Sequence, residues 1–444
     1  GSYGVLFSGV SGNTIGGTVA EARNVISGNG TAGVYLYGSG ASSNVVLGNY
    51  IGTDKNGVAS VANGLYGVYI SGAVNNTIGG TAAGAGNVIS GNGSYGVLVA
   101  GSTATNNRIE GNYIGTDKDG ATALKNGSYG VLFSGVSGNT IGGTAAEAGN
   151  VIRGNGSAGV YVASGTRNAI LANRIYGNGG LGIDLSPSGR TANDLGDGDA
   201  GSNNLQNYPV IAQAVVAGGT TTITGTLNSE PNKTYRLEFF ANTAADPSGY
   251  GEGETYLESI SVTTDASGNA SFTLPYSGDL TGQKITATAT ELVGGSTPGS
   301  TSEFSQAVSA TIASMGLTSP NIAQASASAR PGTVLSVSGA QSAIEIGHLL
   351  GLGHRDAGVT EGILPAGDRR LGASEPQSQP TAAAIDQLLA NEASGSHRTI
   401  LADLGAQRFA AIGAAIASPT RATLRNAIDA AFDDDNAEIS DLRI

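Results

Sequence analysis

Residues Gly1–Gly17 read GSYGVLFSGVSGNTIGG, Gly64–Gly80 read GLYGVYISGAVNNTIGG, and Gly127–Gly143 return to GSYGVLFSGVSGNTIGG letter for letter. The three openings are evenly spaced, and the period holds until a short deletion near Thr166 in the third unit. Pieces of the form NVISGNG follow at Asn24–Gly30, Asn87–Gly93 and Asn150–Gly156, and GNYIGTDK appears at Gly48–Lys55 and Gly111–Lys118. Repetition at a fixed long period points to stacked modules, because each unit can then bury its apolar face against its neighbours.

Each unit carries six short apolar runs, in the first unit Val5–Phe7, Thr14–Ile15, Val25–Ile26, Val34–Leu36, Val45–Leu47 and Tyr50–Ile51. Gly, Asn and Ser separate them. Runs this short between turn residues read as strands, and no window shows the i, i+3, i+4, i+7 stripe of a helix. Gly and Asn tolerate the left-handed backbone of sharp turns. The expected fold is a parallel β-helix, with Asn stacked on Asn to satisfy turn amides. A coil of roughly 21 residues predicts three coils per unit, about nine in all, and a rise of roughly 40 Å.

The GNYIGTD and NVISGNG repeats resemble those of right-handed parallel β-helix proteins that bacteria secrete or display on the cell surface. The resemblance covers about 40% of the chain, within a β-helix domain expected over residues 1–207, and implies a secreted or surface location, with polysaccharide or cell-surface matrix components as partners. It implies fold much better than it implies activity.

Composition narrows the function further. The chain has 444 residues, 72 of them Gly, with 12% charged residues, 39% hydrophobic residues and no Cys or Trp. High Gly alongside that apolar fraction suits a solenoid rather than disorder. A net charge of −13 leaves no basic footprint for nucleic acid. Absence of Cys excludes disulfides, Cys–zinc sites and a thiol nucleophile. No apolar run is long enough for a membrane span. The chain starts inside a repeat motif without Met or a capping element. It therefore reads as part of a longer protein, and the lack of a secretory signal carries no information.

Candidate chemistry is sparse. Asp54 and Asp117, in the repeated IGTDK, read as turn residues bonding their own backbone rather than as catalytic acids, since a catalytic site occurs once. At the end of the third unit, Asp194, Asp197 and Asp199 lie on a Gly-rich loop beside Asn193, Asn203 and Asn204. Oxygen donors this dense could hold Ca²⁺, although a solvated loop is the plainer reading. Residues 208–312 change to period-two alternation, with about seven strands, and suggest an immunoglobulin-like sandwich. Tyr250 and Glu252, in its DPSGYGEGETYL loop, are candidate glycan contacts.

Residues 313–340 read as a linker, and 341–444 as a partly helical region. There, Ile344–His354 reads IEIGHLLGLGH, which resembles the HExxHxxGxxH zinc helix of metzincin peptidases, matrixin-like domains included. The resemblance gives Glu345 as general base and His348 and His354 as zinc ligands. Ile344 stands where the first His ligand belongs, and Thr360 replaces the Met of the family's Met-turn. A degenerate, inactive remnant is the expectation, with zinc unlikely to bind, and His397 reads as a solvated turn residue. Amphipathic helices are expected at Thr381–Asn391 and Ser418–Phe432.

The resulting expectation is a mainly β protein: a right-handed parallel β-helix, an immunoglobulin-like sandwich and a partly helical C-terminal region. Its function would be non-enzymatic: a rod for adhesion, matrix or glycan interaction. The alternatives are a polysaccharide lyase or hydrolase acting along the β-helix, and a metzincin-type zinc peptidase. The lyase reading needs a once-only acid cluster, and the Asp194–Asp199 carboxylates placed beside an exposed groove with Arg190 would favour it.

Overall fold

All six runs of the first unit are strands, and they build two coils, not three. In the computed structural model, which describes residues 1–313, each of six coils contributes one strand to each of three parallel sheets, and a further strand extends the first sheet. The first sheet holds seven strands: Tyr3–Ser8, Ala32–Tyr37, Tyr66–Ser71, Tyr95–Ala100, Val131–Ser134, Val160–Val162 and Ile183–Leu185. The second runs from Thr14–Gly16 to Ala169–Leu171, and the third from Val25–Ile26 to Arg174–Tyr176, with six strands each.

Register shows where the expected coil count fails. Tyr3 pairs with Ala32 and Ala32 with Tyr66, so two coils of unequal length make one repeat. The corner asparagines measure the two lengths: Asn29 to Asn63 spans 34 positions, and Asn63 to Asn92 spans 29. Two loops take up the difference. Odd coils carry a long loop before the third strand, with a short 3₁₀ turn in the first and fifth, Ala20–Ala22 and Ala146–Ala148. Even coils carry a loop closed by an antiparallel bridge, Thr53 to Ser60 and again Thr116 to Ala123. The last step, Asn155 to Asn178, comes near the expected coil length, at 23 positions. Seven stacked strands at about 4.8 Å therefore rise about 29 Å rather than 40 Å.

The core is made of stacked rows of like side chains. Ile15, Val46, Ile78, Ile109, Ile141 and Ile170 form one row, and Ile26, Ile51, Ile89, Ile114, Ile152 and Ile175 another. Fully burying each such side chain is worth roughly 1.5–3 kcal/mol. At the corners run three asparagine ladders. One passes through Asn13, Asn44, Asn76, Asn107, Asn139 and Asn168. The second is Asn24, Asn49, Asn87, Asn112, Asn150 and Asn173. The third is Asn29, Asn63, Asn92, Asn126, Asn155 and Asn178. A typical rung gives its Nδ2 to the next Oδ1 and to a strand carbonyl, and its backbone N–H to the same Oδ1. Buried turn amides, which would otherwise be orphaned, are met this way.

Residues 210–312 form eight strands, mostly antiparallel, around a second core of Ile223, Leu227, Leu237, Phe239, Phe272 and Ile285. Val210–Ala217 pairs parallel with Val308–Ile312. Thr297–Thr301 is a strand that the alternation did not reveal. Among the described residues, no helix is long and apolar enough to cross a membrane. Glu345, His348, His354, His397 and the expected helices lie outside the described residues.

Candidate functional site

The last coil meets the second module along all three sheets. Leu185 N–H donates to Glu303 Oε1 at 3.0 Å and Thr191 N–H to Glu303 Oε2 at 2.9 Å. On the second sheet, Ile170 N–H reaches Thr301 Oγ1 and Ala172 N–H reaches Glu238 Oε2. On the third, Ile175 pairs with Gly253 and Gly177 N–H donates to Glu252 Oε2. Asn168 N–H finds Asn203 Oδ1, which continues the first ladder. Phe240 and Phe304 join the solenoid core. An open parallel edge is a template for uncontrolled pairing, and here side-chain acceptors replace the missing coil. Burial pushes Glu303 up to about 7 and Glu252 up to about 6, and it raises Glu238 as well, against the lowering effect of the amides they accept.

The exit loop brings its three carboxylates together. Asp194, Asp197 and Asp199 each offer an oxygen within 4.8 Å of the others. Asp197 accepts Asn207 N–H and the Ser229 hydroxyl, and Asp194 Oδ2 accepts Gly198 N–H. Asp194 Oδ1 and Asp199 Oδ1 are buried without a hydrogen-bond partner. Burial, with the neighbouring carboxylates, raises Asp197 to about 6 and raises Asp199 too. Two orphaned anionic oxygens facing a third carboxylate are what a hard cation such as Ca²⁺ would relieve, so this donor set fits calcium. Asn203 instead belongs to the ladder.

The other sequence candidates occupy different places. Arg190 donates to Tyr208 Oη at 3.0 Å and lies 4.7 Å over the Tyr250 ring. Among the described residues no ion pair links it to the aspartates. Tyr250 packs edge-on against Tyr208 at 5.7 Å, and Glu252 is committed to the coil edge. Asp54 accepts the Val58 and Ala59 amides, and Asp117 those of Asp119 and Ala121. For Asp54 these amides hold the carboxyl below its ordinary range; for Asp117 they outweigh opposing burial with the same result.

A stripe of tyrosines escapes any reading made one residue at a time. Tyr3, Tyr35, Tyr69, Tyr66, Tyr95, Tyr129 and Tyr161 form a continuous chain on the outside of the seven-stranded sheet, with successive centroids 4.6–5.6 Å apart. The signal was in the repeat itself, where Tyr3, Tyr66 and Tyr129 hold the same place in successive units. Burial raises the hydroxyl pKa of Tyr35, Tyr66 and Tyr129, which keeps them neutral.

Parallel coils with laddered corners define the class, a parallel β-helix. Residues 58–197 match the family described as a right-handed β-helix region. No curated protein matches the chain.

Proposed function

We propose that the protein is a non-enzymatic, exported or cell-surface rod that binds glycan or matrix components, closed by an immunoglobulin-like module. The tyrosine stripe carries this reading. It crosses six coils, about 24 Å of stacked strands, which is long enough to follow an extended polymer. Further support comes from the repeated acids, Asp54 and Asp117, whose carboxylates are taken up by their own turns. The exported location rests on the resemblance of the repeats to those of secreted and surface proteins.

The test is retention on an array of immobilised polysaccharides. Tyr35→Ser with Tyr69→Ser is expected to lower retention about fivefold or more, with a modest fall in melting temperature from the lost ring packing, since aromatic contacts contribute roughly 0.5–1.5 kcal/mol each; retention is therefore compared at a temperature where both proteins are folded. Release of new reducing ends or unsaturated sugars from the same polymers would overturn the non-enzymatic reading in favour of a lyase or hydrolase.

We also propose that Asp194, Asp197 and Asp199 hold Ca²⁺, which would offset the repulsion among three like charges and fasten the exit loop. Calcium at a hundred times its dissociation constant should stabilise the protein by about 2.7 kcal/mol. The Asp199→Asn variant should lose most of that gain. Equal melting temperatures with calcium and with chelator would rule the site out.

A further inference from the structure

Between the outer face of the second sheet and the edge of the C-terminal module lies a cleft of about 630 Å³. Three guanidiniums line it, Arg108 and Arg167 from the solenoid and Arg236 from the module, with Leu171, Leu292 and Pro298 supplying apolar wall. No carboxylate lines it. Glu110 and Glu238 each pair with one of these arginines, and Arg167 has no acidic partner among the described residues.

Both solenoid arginines break the repeat. The strand register aligns Arg108 with Thr14, Val45, Thr77, Thr140 and Ala169. Its neighbour Glu110 stands where the other even coils carry Leu47 and Leu171. Arg167 precedes a ladder asparagine, as Ser43, Asn75, Asn106 and Gly138 do, and all five have positive φ near 54–69°. An arginine in this left-handed turn costs more than Asn or Gly, and such an outlier points to a role.

The guanidiniums also keep donors in reserve. Arg108 uses Nε and Nη2 on Glu110, and Arg236 uses Nε on Glu238 and Nη2 on the Tyr256 hydroxyl. Each retains Nη1. Glu238 is fully buried behind its arginine, whose side chain is 20% exposed. Among the described residues the Arg167 side chain makes no hydrogen bond or ion pair.

We infer that this cleft binds an organic oxyanion: a carboxylate or sulfate group carried on a sugar-sized body. Planar forks of N–H donors match such groups two oxygens at a time, and the apolar wall suits the ligand body. The inference stands on the cleft alone and is independent of the rod reading.

Calorimetric titration of the full chain in low-salt buffer with sodium glucuronate, sodium sulfate and glucose tests it. Glucuronate or sulfate should bind and weaken as salt rises, while glucose should not bind. Binding of glucuronate alone assigns the carboxylate, and binding of sulfate assigns the sulfate group. Arg167→Asn, and Arg108→Val with Glu110→Leu, restore residues that other coils already carry, so melting should be unchanged. Each variant should weaken binding roughly tenfold, the loss expected for one charge-assisted contact. Absence of binding by both anions, equal binding of glucose, or unaltered affinity in both stable variants would overturn the inference.

Discussion

Asn112→Ala is expected to destabilise the solenoid by roughly 3–5 kcal/mol, the cost of stranding two or more buried partners at 1–3 kcal/mol each. The Asn112 side chain is 1% exposed and touches three coils. Its Oδ1 accepts both the backbone N–H and the Nδ2 of Asn87, at 3.1 and 2.9 Å. Its Nδ2 donates to Ile78 O, Glu110 O and Asn150 Oδ1. Alanine removes every one of these contacts and leaves the Asn87 amide without an acceptor. Asn112→Asp should be worse, because it turns the donor that meets those three oxygens into a buried anion. Asn13→Ala supplies the control. Among the described residues no side chain donates to its Oδ1, so a loss within about 1 kcal/mol is expected. Urea unfolding followed by circular dichroism, together with hydrogen exchange at the Asn87 amide, would check the series. Equal losses at Asn112 and Asn13 would mean that the ladder contributes little.

That contrast also shows what could be read from the chain. All six strands of the unit were legible, since a short β-branched run between Gly and Asn has few other ways to fold. The ladders were legible too, as stacked Asn. The number of coils was not, because the spacing of runs cannot say which loop belongs to a turn and which is an excursion such as Asp54–Ser60. The junction was hidden for a different reason. Glu303 meets Leu185 across 118 positions and Glu238 meets Ala172 across 66, and no local pattern encodes such a pairing. Thr297–Thr301 reads as a polar turn, yet its buried Ser300 and Thr301 hydroxyls receive coil amides. The aspartate cluster was visible because its members are neighbours in sequence. The arginine cleft was not, since it unites three distant segments.

The junction carboxylates make stability depend on pH in an unusual direction. Glu303 is the clearest case: burial raises it to about 7, Asp184 nearby adds to the rise, and the Leu185 and Thr191 amides and Arg190 oppose it. An ordinary Glu titrates near 4.3, so between that value and about 7 the folded state binds more protons than the unfolded state. Stability from this group is therefore full in acid and falls as pH rises through that window. The fall amounts to at most about 4 kcal/mol at 1.36 kcal/mol per pKa unit. Glu252 and Asp197, both raised to about 6, and Glu238, also raised, act in the same sense. Calorimetric melting should thus give a higher transition temperature at pH 5 than at pH 7.5. Glu303→Gln cannot ionise but has one carbonyl oxygen for two amide donors. It should be less stable than the parent at pH 5 and should show a smaller difference between the two pH values. A variant whose pH dependence matches the parent's would place the titrating group elsewhere, and the coil edge would then be held by the Glu303 hydrogen bonds without a charge penalty.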